Sequence, residues 1–180
     1  MATKRTIALL TLVTMLVFPA WQVCVCAATV SEYQIKAAFL YNFAKFVEWP
    51  AAVSQKGSAA FKIGILGDDP FGADIAVIEK KLVRSKPLKI LRANALDELS
   101  GCQVIFICAS VEPWLADILE RLQGKPVLTV GDTNRFAHQG VMINLINVGN
   151  KIRFQINPAA AERVGLKISS QLLRLADIVE

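Results

Sequence analysis

Three short apolar runs limit what this chain can become. Phe61 to Gly67 (FKIGILG), Cys102 to Ala109 (CQVIFICA) and Val127 to Gly131 (VLTVG) hold one charged side chain among them. Each is apolar at consecutive rather than alternate positions, the pattern of a strand covered on both faces. Helical signals separate them, so the strands run parallel and the crossovers right-handed. The fold class expected is α/β: a three-layer sandwich with a mainly parallel sheet and a C-terminal antiparallel hairpin at the sheet edge.

The remaining segments fit that plan. Ser31 to Trp49 reads as a helix, with Ile35, Phe39, Phe43, Phe46 and Val47 at helical spacing and Pro50 as its stop. Asp69-Pro70 is a helix-start signal for a run to about Val83 that buries Phe71, Ile75, Ile78 and Leu82. A strand is expected at Leu88 to Leu91. A helix from Glu112 to Leu122 turns Leu115, Ile118, Leu119 and Leu122 inward, and a short helix covers Arg135 to His138. VMINLINV and KIRFQI flank Gly149-Asn150, a hairpin signal. Ile152, Phe154 and Ile156 alternate there with Lys151, Arg153 and Gln155, so one face is wet. Asn157-Pro158 opens a short helix that Gly165 closes, and a last helix sets Ile168, Leu172, Leu175 and Val179 on one stripe.

Met1 to Ala28 reads as a signal peptide. Lys4 and Arg5 precede the uncharged run Thr6 to Ala20, and small residues follow at Cys26-Ala27-Ala28. An uncleaved anchor is the alternative, but it needs about 20 apolar residues. The expectation is an exported protein with one domain over residues 29–180 and no membrane insertion once the leader is cut. Of 20 basic and 15 acidic side chains, the leader holds two basic ones, leaving a mild surplus. Nucleic-acid binding wants a concentrated basic stripe. The densest basic cluster, Lys80, Lys81, Arg84, Lys86 and Lys89, falls where a helix should end and complement its dipole. Cys102 and Cys108 lie six residues apart on one strand, roughly 20 Å. A disulfide needs Cα atoms within about 7 Å, so the two read as buried thiols, with an intermolecular bond as the alternative.

Residues that could carry chemistry are sparse. A strand ending in Asp68-Asp69 before a helix resembles the start of a response-regulator receiver domain. The third strand, however, ends Cys108-Ala109-Ser110 without an acceptor aspartate, and VMINLI lacks the lysine for a phosphoryl group. His138 is the only histidine, and G-x-S-x-G, G-x-G-x-x-G and Walker A motifs are missing. No catalytic residue, metal site or cofactor is called for. Asp68, Asp69, Ser110 and Asp132 follow predicted parallel strands and form a candidate ligand cleft, although Asp in such places is commonly a cap or turn former. Tyr41, Trp49 and Trp114 are aromatics of the kind found at interfaces; Trp49 suits a core plug as well. Arg153, Gln155 and Arg174 complete the candidate partner surface, with an ordinary solvated face as the alternative.

Five segments in order, EYQIKAAFLYNFAKFVEWP, FKIGILGDDPFG, LSGCQVIFI, TVGDTNRFAHQGVMINLI and KIRFQINPAAAERVGLKISSQLLRLA, make the chain from about Val30 to Val179 resemble the YfiR family of periplasmic regulators. The resemblance implies a periplasmic, non-enzymatic protein and a homodimer. It implies binding to the periplasmic sensor domain of an inner-membrane diguanylate cyclase, which keeps cyclic di-GMP and biofilm formation low. It also implies that an outer-membrane lipoprotein can sequester the regulator. Some members carry disulfides; Cys102 matches a family position, but no other loop cysteine remains here to pair with it. A small-ligand binder feeding a sensor kinase or receptor is the other reading.

Overall fold

The computed structural model describes residues 30–51, 59–149 and 151–179. The expected leader, with Cys24 and Cys26, lies outside the described residues, as do most of the loop after Trp49 and Asn150 of the hairpin turn.

Ser31 opens α1 (Glu32–Phe46) by accepting the Gln34 amide on its hydroxyl, with Glu32 in the first turn and Lys45 in the last to complement the dipole. The chain turns extended in β1 (Val47–Glu48). The face that α1 buries is Lys36, Ala37, Leu40, Phe43 and Ala44, and of the predicted stripe only Phe43 and Val47 are buried. Ile35 is exposed, and Phe39 and Phe46 are only half-buried. The small Ala37 and Ala44 let the helix lie close to the sheet, a contribution that large-residue periodicity does not register.

β2 (Phe61–Leu66) follows as expected. The helix predicted from Asp69 to Val83 does not form. Asp69 accepts the Phe71 amide in a tight turn, one 3-10 run covers Gly72–Val77, and Lys80, Arg84 and Ser85 take positive φ. Lys80 donates to, and Lys81 accepts from, the backbone of Leu88. The segment therefore joins the sheet as β3 (Leu82–Val83), hairpinned to β4 (Lys86–Ala93). Phe71, Ile75 and Ile78 are buried, but Leu82 is 60% exposed. The basic cluster from Lys80 to Lys89 thus marks a turn and an edge, not a helix end.

A 3-10 turn (Leu96–Leu99) precedes β5 (Val104–Ile107). The helix expected over Glu112 to Leu122 is split into a 3-10 run, Ala109–Trp114, which contains Pro113, and α2 (Leu115–Arg121). Then come β6 (Leu128–Gly131), a 3-10 turn (Phe136–Gln139), and the hairpin strands β7 (Ile143–Val148) and β8 (Lys151–Ile156). Asn157 caps α3 (Pro158–Glu162) by accepting the Ala160 amide. The predicted last helix is replaced by β9 (Lys167–Ile168), α4 (Ser170–Leu173) and β10 (Asp177–Ile178). The Ser169 and Val179 amides donate to the carbonyls of Phe46 and Ile156, so tertiary pairing claims the backbone that a long helix would have used. Leu175 is 71% exposed rather than inward.

Eight strands form one sheet in the order β10-β8-β7-β6-β5-β2-β4-β3. Pairing is parallel except for β7–β8 and β3–β4. β1 and β9 form a separate antiparallel pair. The hairpin strand β8 lies next to the sheet's last strand, with β10 covering only Gln155 and Ile156. β5 shows why its sequence is continuously apolar: Val104 and Phe106 enter the core under α1, while Ile105 and Ile107 enter a second core with Leu115, Ile118 and Phe136. The chain is a three-layer α/β sandwich.

Leu40→Ala is expected to lower the unfolding free energy by about 2–5 kcal/mol, and Ile35→Ala by less than about 1 kcal/mol. Urea titrations followed by circular dichroism check this; the opposite ranking would restore the predicted stripe.

Candidate functional site

The polar residues of the parallel strands gather beyond their carboxyl ends, where this class of sheet binds ligands. The chain leaves β2 for β4 on one side and returns to β5 on the other, so the topological switch point falls between β2 and β5. Gly67 makes the exit from β2 possible: its φ is +97°, and a Cβ there would stand 2.5 Å from the Ser110 hydroxyl. The Asp68 amide donates to that hydroxyl at 2.8 Å, tying the two strand exits together.

Two of the three carboxylates each have their own cation. Asp69 receives Arg92 Nε at 2.7 Å on one oxygen and the Phe71 amide at 2.8 Å on the other. Asp132 receives Lys36 Nζ at 2.7 Å and the Tyr33 hydroxyl at 3.2 Å. Lys36 also meets Glu32 at 2.6 Å, and Glu32 accepts the Asn147 amide group at 2.9 Å. The Lys36 and Asp132 side chains are only 5% and 8% exposed, so the pair is a buried one that fixes α1 to the end of β6. Burial alone pushes Lys36 down, but its bonds to Asp132 and Glu32 outweigh this and hold the ammonium above its ordinary range. The bond from Lys36 holds Glu32 below its own.

Asp132, Asp69 and Asp68 all bear on Cys108. Burial first, then these three carboxylates in that order, push its thiol up to about 12. Cys102 is pushed up to about 11 by burial. Both cysteines are free and buried. The structure thus brings Asp68, Asp69, Ser110 and Asp132 to one sheet edge, where Asp69 and Asp132 serve as braces. Among the described residues no group of three or more His, Cys, Asp or Glu could hold a metal ion. Two buried oxygens nearby, Thr133 Oγ1 and Asn144 Oδ1, have no hydrogen-bond partner. Asn144 donates its amide group to the Thr133 carbonyl at 3.0 Å.

The candidate partner residues do not form one surface. Trp49 is a core residue, edge-on to Phe61 at 5.3 Å. Tyr41 lies on α1 and donates its hydroxyl to the Leu82 carbonyl. Trp114 is 61% exposed at the start of α2, on the other face. Arg153 and Gln155 lie on β8, where Gln155 pairs with Asp177 of β10, and Arg174 ends α4 three residues before β10. Leu175 and Ile178, which the sequence placed elsewhere or not at all, stand exposed beside them. An open groove between α2 and α3, floored by Leu119, Leu122, Met142 and Val164, collects none of the candidate residues. Lys36 and Arg92 were missed as well. The one available signal for Lys36 was Glu32 four residues before it, an ordinary surface-helix pairing.

A family model described as YfiR/HmsC-like matches residues 33–177. The search of curated proteins found no match. Among the described residues no helix is long and apolar enough to cross a membrane.

Lys36→Met, which strands a buried carboxylate, is expected to cost about 3–5 kcal/mol of stability, and Arg121→Met, from the exposed pair with Asp97, less than about 1 kcal/mol. Chemical denaturation of both variants checks the contrast. Cys102 and Cys108 are expected to resist iodoacetamide at pH 8 in the native protein and to react on unfolding. Peptide mapping by mass spectrometry reads this directly; labelling of either in the folded state would contradict the assigned burial.

Proposed function

Because the chain belongs to the YfiR/HmsC-like family, a family of periplasmic regulators, we propose that it binds the periplasmic sensor domain of an inner-membrane diguanylate cyclase and represses it. Cyclic di-GMP and biofilm formation then stay low. The observation that carries this reading is the extent of the family match, which takes in nearly the whole sandwich from α1 to β10. The braced carboxylates support a role by contact: Asp69 and Asp132 are spent on holding loops and α1 in place.

The docking surface in this reading is the β8–β10 edge. Leu175 and Ile178, 71% and 52% exposed, supply apolar area, and Arg153, Gln155 and Arg174 the polar rim. Preference for the inactive form of the cyclase sets the strength of repression: about 100-fold, roughly 2.7 kcal/mol, silences most of it at saturation. An outer-membrane lipoprotein that captured the regulator would relieve the block, and a homodimer would present the surface twice. A second reading, a small-ligand binder feeding a sensor kinase or receptor, draws on the unpartnered Thr133 and Asn144 oxygens beside the strand ends.

Deletion of the gene is expected to raise cyclic di-GMP several-fold. The wild-type gene should restore the low level, and Leu175→Asp/Ile178→Asp, with an unchanged melting temperature, should not. Nucleotide extraction and mass spectrometry measure the outcome. An unchanged level after deletion would remove the cyclase reading and leave the ligand binder.

A further inference from the structure

At the opposite end of the sheet from β10, basic residues of α1 and of the turn into the β3–β4 hairpin gather at one edge. Lys45 and Lys81 flank the Tyr41 ring, their ammonium groups 5.3 and 5.2 Å from its centre. Arg84 lies over Trp49 and donates to the Val47 carbonyl at 2.7 Å. Lys80 and Arg84 sit at positive φ, which turns the chain sharply around this edge. Lys45, Lys80, Lys81 and Arg84 are exposed, and none forms an ion pair among the described residues.

The charge of the molecule is concentrated here. Setting aside Lys4, Arg5, Lys56 and Glu180, the described residues carry 17 basic and 14 acidic side chains, a net +3. Lys45, Lys80, Lys81, Arg84 and Lys86, against Glu48 and Glu79, account for +3 by themselves, so the remainder is neutral. Leu82 projects from the middle of this rim, 60% exposed, with its carbonyl held by the Tyr41 hydroxyl. Lysines that merely guard a sheet edge need no apolar residue at the tip. A protein partner would want its aromatic anchor free to be covered, whereas the Tyr41 ring is already flanked by ammonium groups. Cations around one exposed leucine and a tyrosine at the interface suit an anionic lipid surface.

We infer that the β3 edge is a membrane-adsorbing rim that seats the protein on an anionic bilayer through Lys45, Lys80, Lys81 and Arg84, with Leu82 at the tip. The contact is peripheral and salt-sensitive, and it is independent of the β8–β10 docking surface. Cosedimentation of the full chain with vesicles tests it, using phosphatidylglycerol mixed equally with phosphatidylcholine and phosphatidylcholine alone as reference. Binding to the anionic vesicles is expected to exceed the reference by about tenfold at low salt and to fade as the Debye length shrinks. Lys45→Glu/Lys81→Glu should lower it by about fivefold and Leu82→Ser by a smaller factor, whereas Lys125→Glu/Arg163→Glu, with the same net charge, should lower it less than about twofold. Melting temperatures confirm that each variant is folded. Equal binding to both vesicle types, or equal loss in the two double variants, overturns the proposal. An acidic protein face as the true occupant leaves Leu82→Ser binding the anionic vesicles as well as the wild type does, since charge alone then holds them, and that result overturns the proposal too.

Discussion

A strand buried on both faces admits few polar side chains along its length, and that constraint organises the molecule. β2, β5 and β6 are buried almost throughout, so polar residues collect where the strands stop or at the outermost strands. Asp68, Asp69 and Asp132 occur one to three residues beyond the last rung of their strands for this reason. The buried Lys36–Asp132 pair is a consequence: once α1 covers the sheet, an acidic strand end beneath it must be neutralised or excluded. The sequence neutralises it with a lysine from the covering helix, and a third residue, Glu32, shares the cation.

What was legible in the sequence follows from the same constraint. Continuous apolar runs identify β2, β5 and β6 because burial on both faces leaves a signal in every residue. The β7–β8 hairpin was legible from Gly149-Asn150 and from the alternation in KIRFQI. The segments that failed are those whose backbone pairs at long range. Residues 80–83 and 168–179 look helical by local spacing, yet backbone groups there or beside them bond to Leu88, Phe46 and Ile156. Leu82 and Leu175 changed from expected core to exposed residues for that reason. The α1 face was legible in part: Phe43 and Val47 are buried as expected, whereas Ala37 and Ala44, too small to register in the spacing of large residues, are buried and Ile35 is not.

The candidate site was half legible. Carboxylates after parallel strands are easy to find; the cations that occupy them are not. Arg92 lies on β4 and Lys36 on α1, 23 and 96 residues from Asp69 and Asp132, and no local pattern links such partners. Without the cations the cluster looks available for ligand chemistry. With them Asp69 and Asp132 are braces, and Cys108 beside them is held as an inert thiol by burial and by the charges of Asp132, Asp69 and Asp68.

That arrangement bears on how a molecule of this kind can act. A group that must exchange protons or bind a metal needs a charge that is free to respond, and Asp69 and Asp132 are instead engaged in ion pairs. A surface that must recognise a partner needs a rigid support, because ordering a mobile one costs binding free energy. The braces supply that rigidity to the strand ends and to α1, while the two outer edges of the sheet carry different chemistry: apolar at Leu175 and Ile178, basic around Leu82. Opposite edges of one stiff sheet can be occupied at the same time without competing for residues. A regulator built in this way can lie against a charged surface by one edge and present the other to a protein.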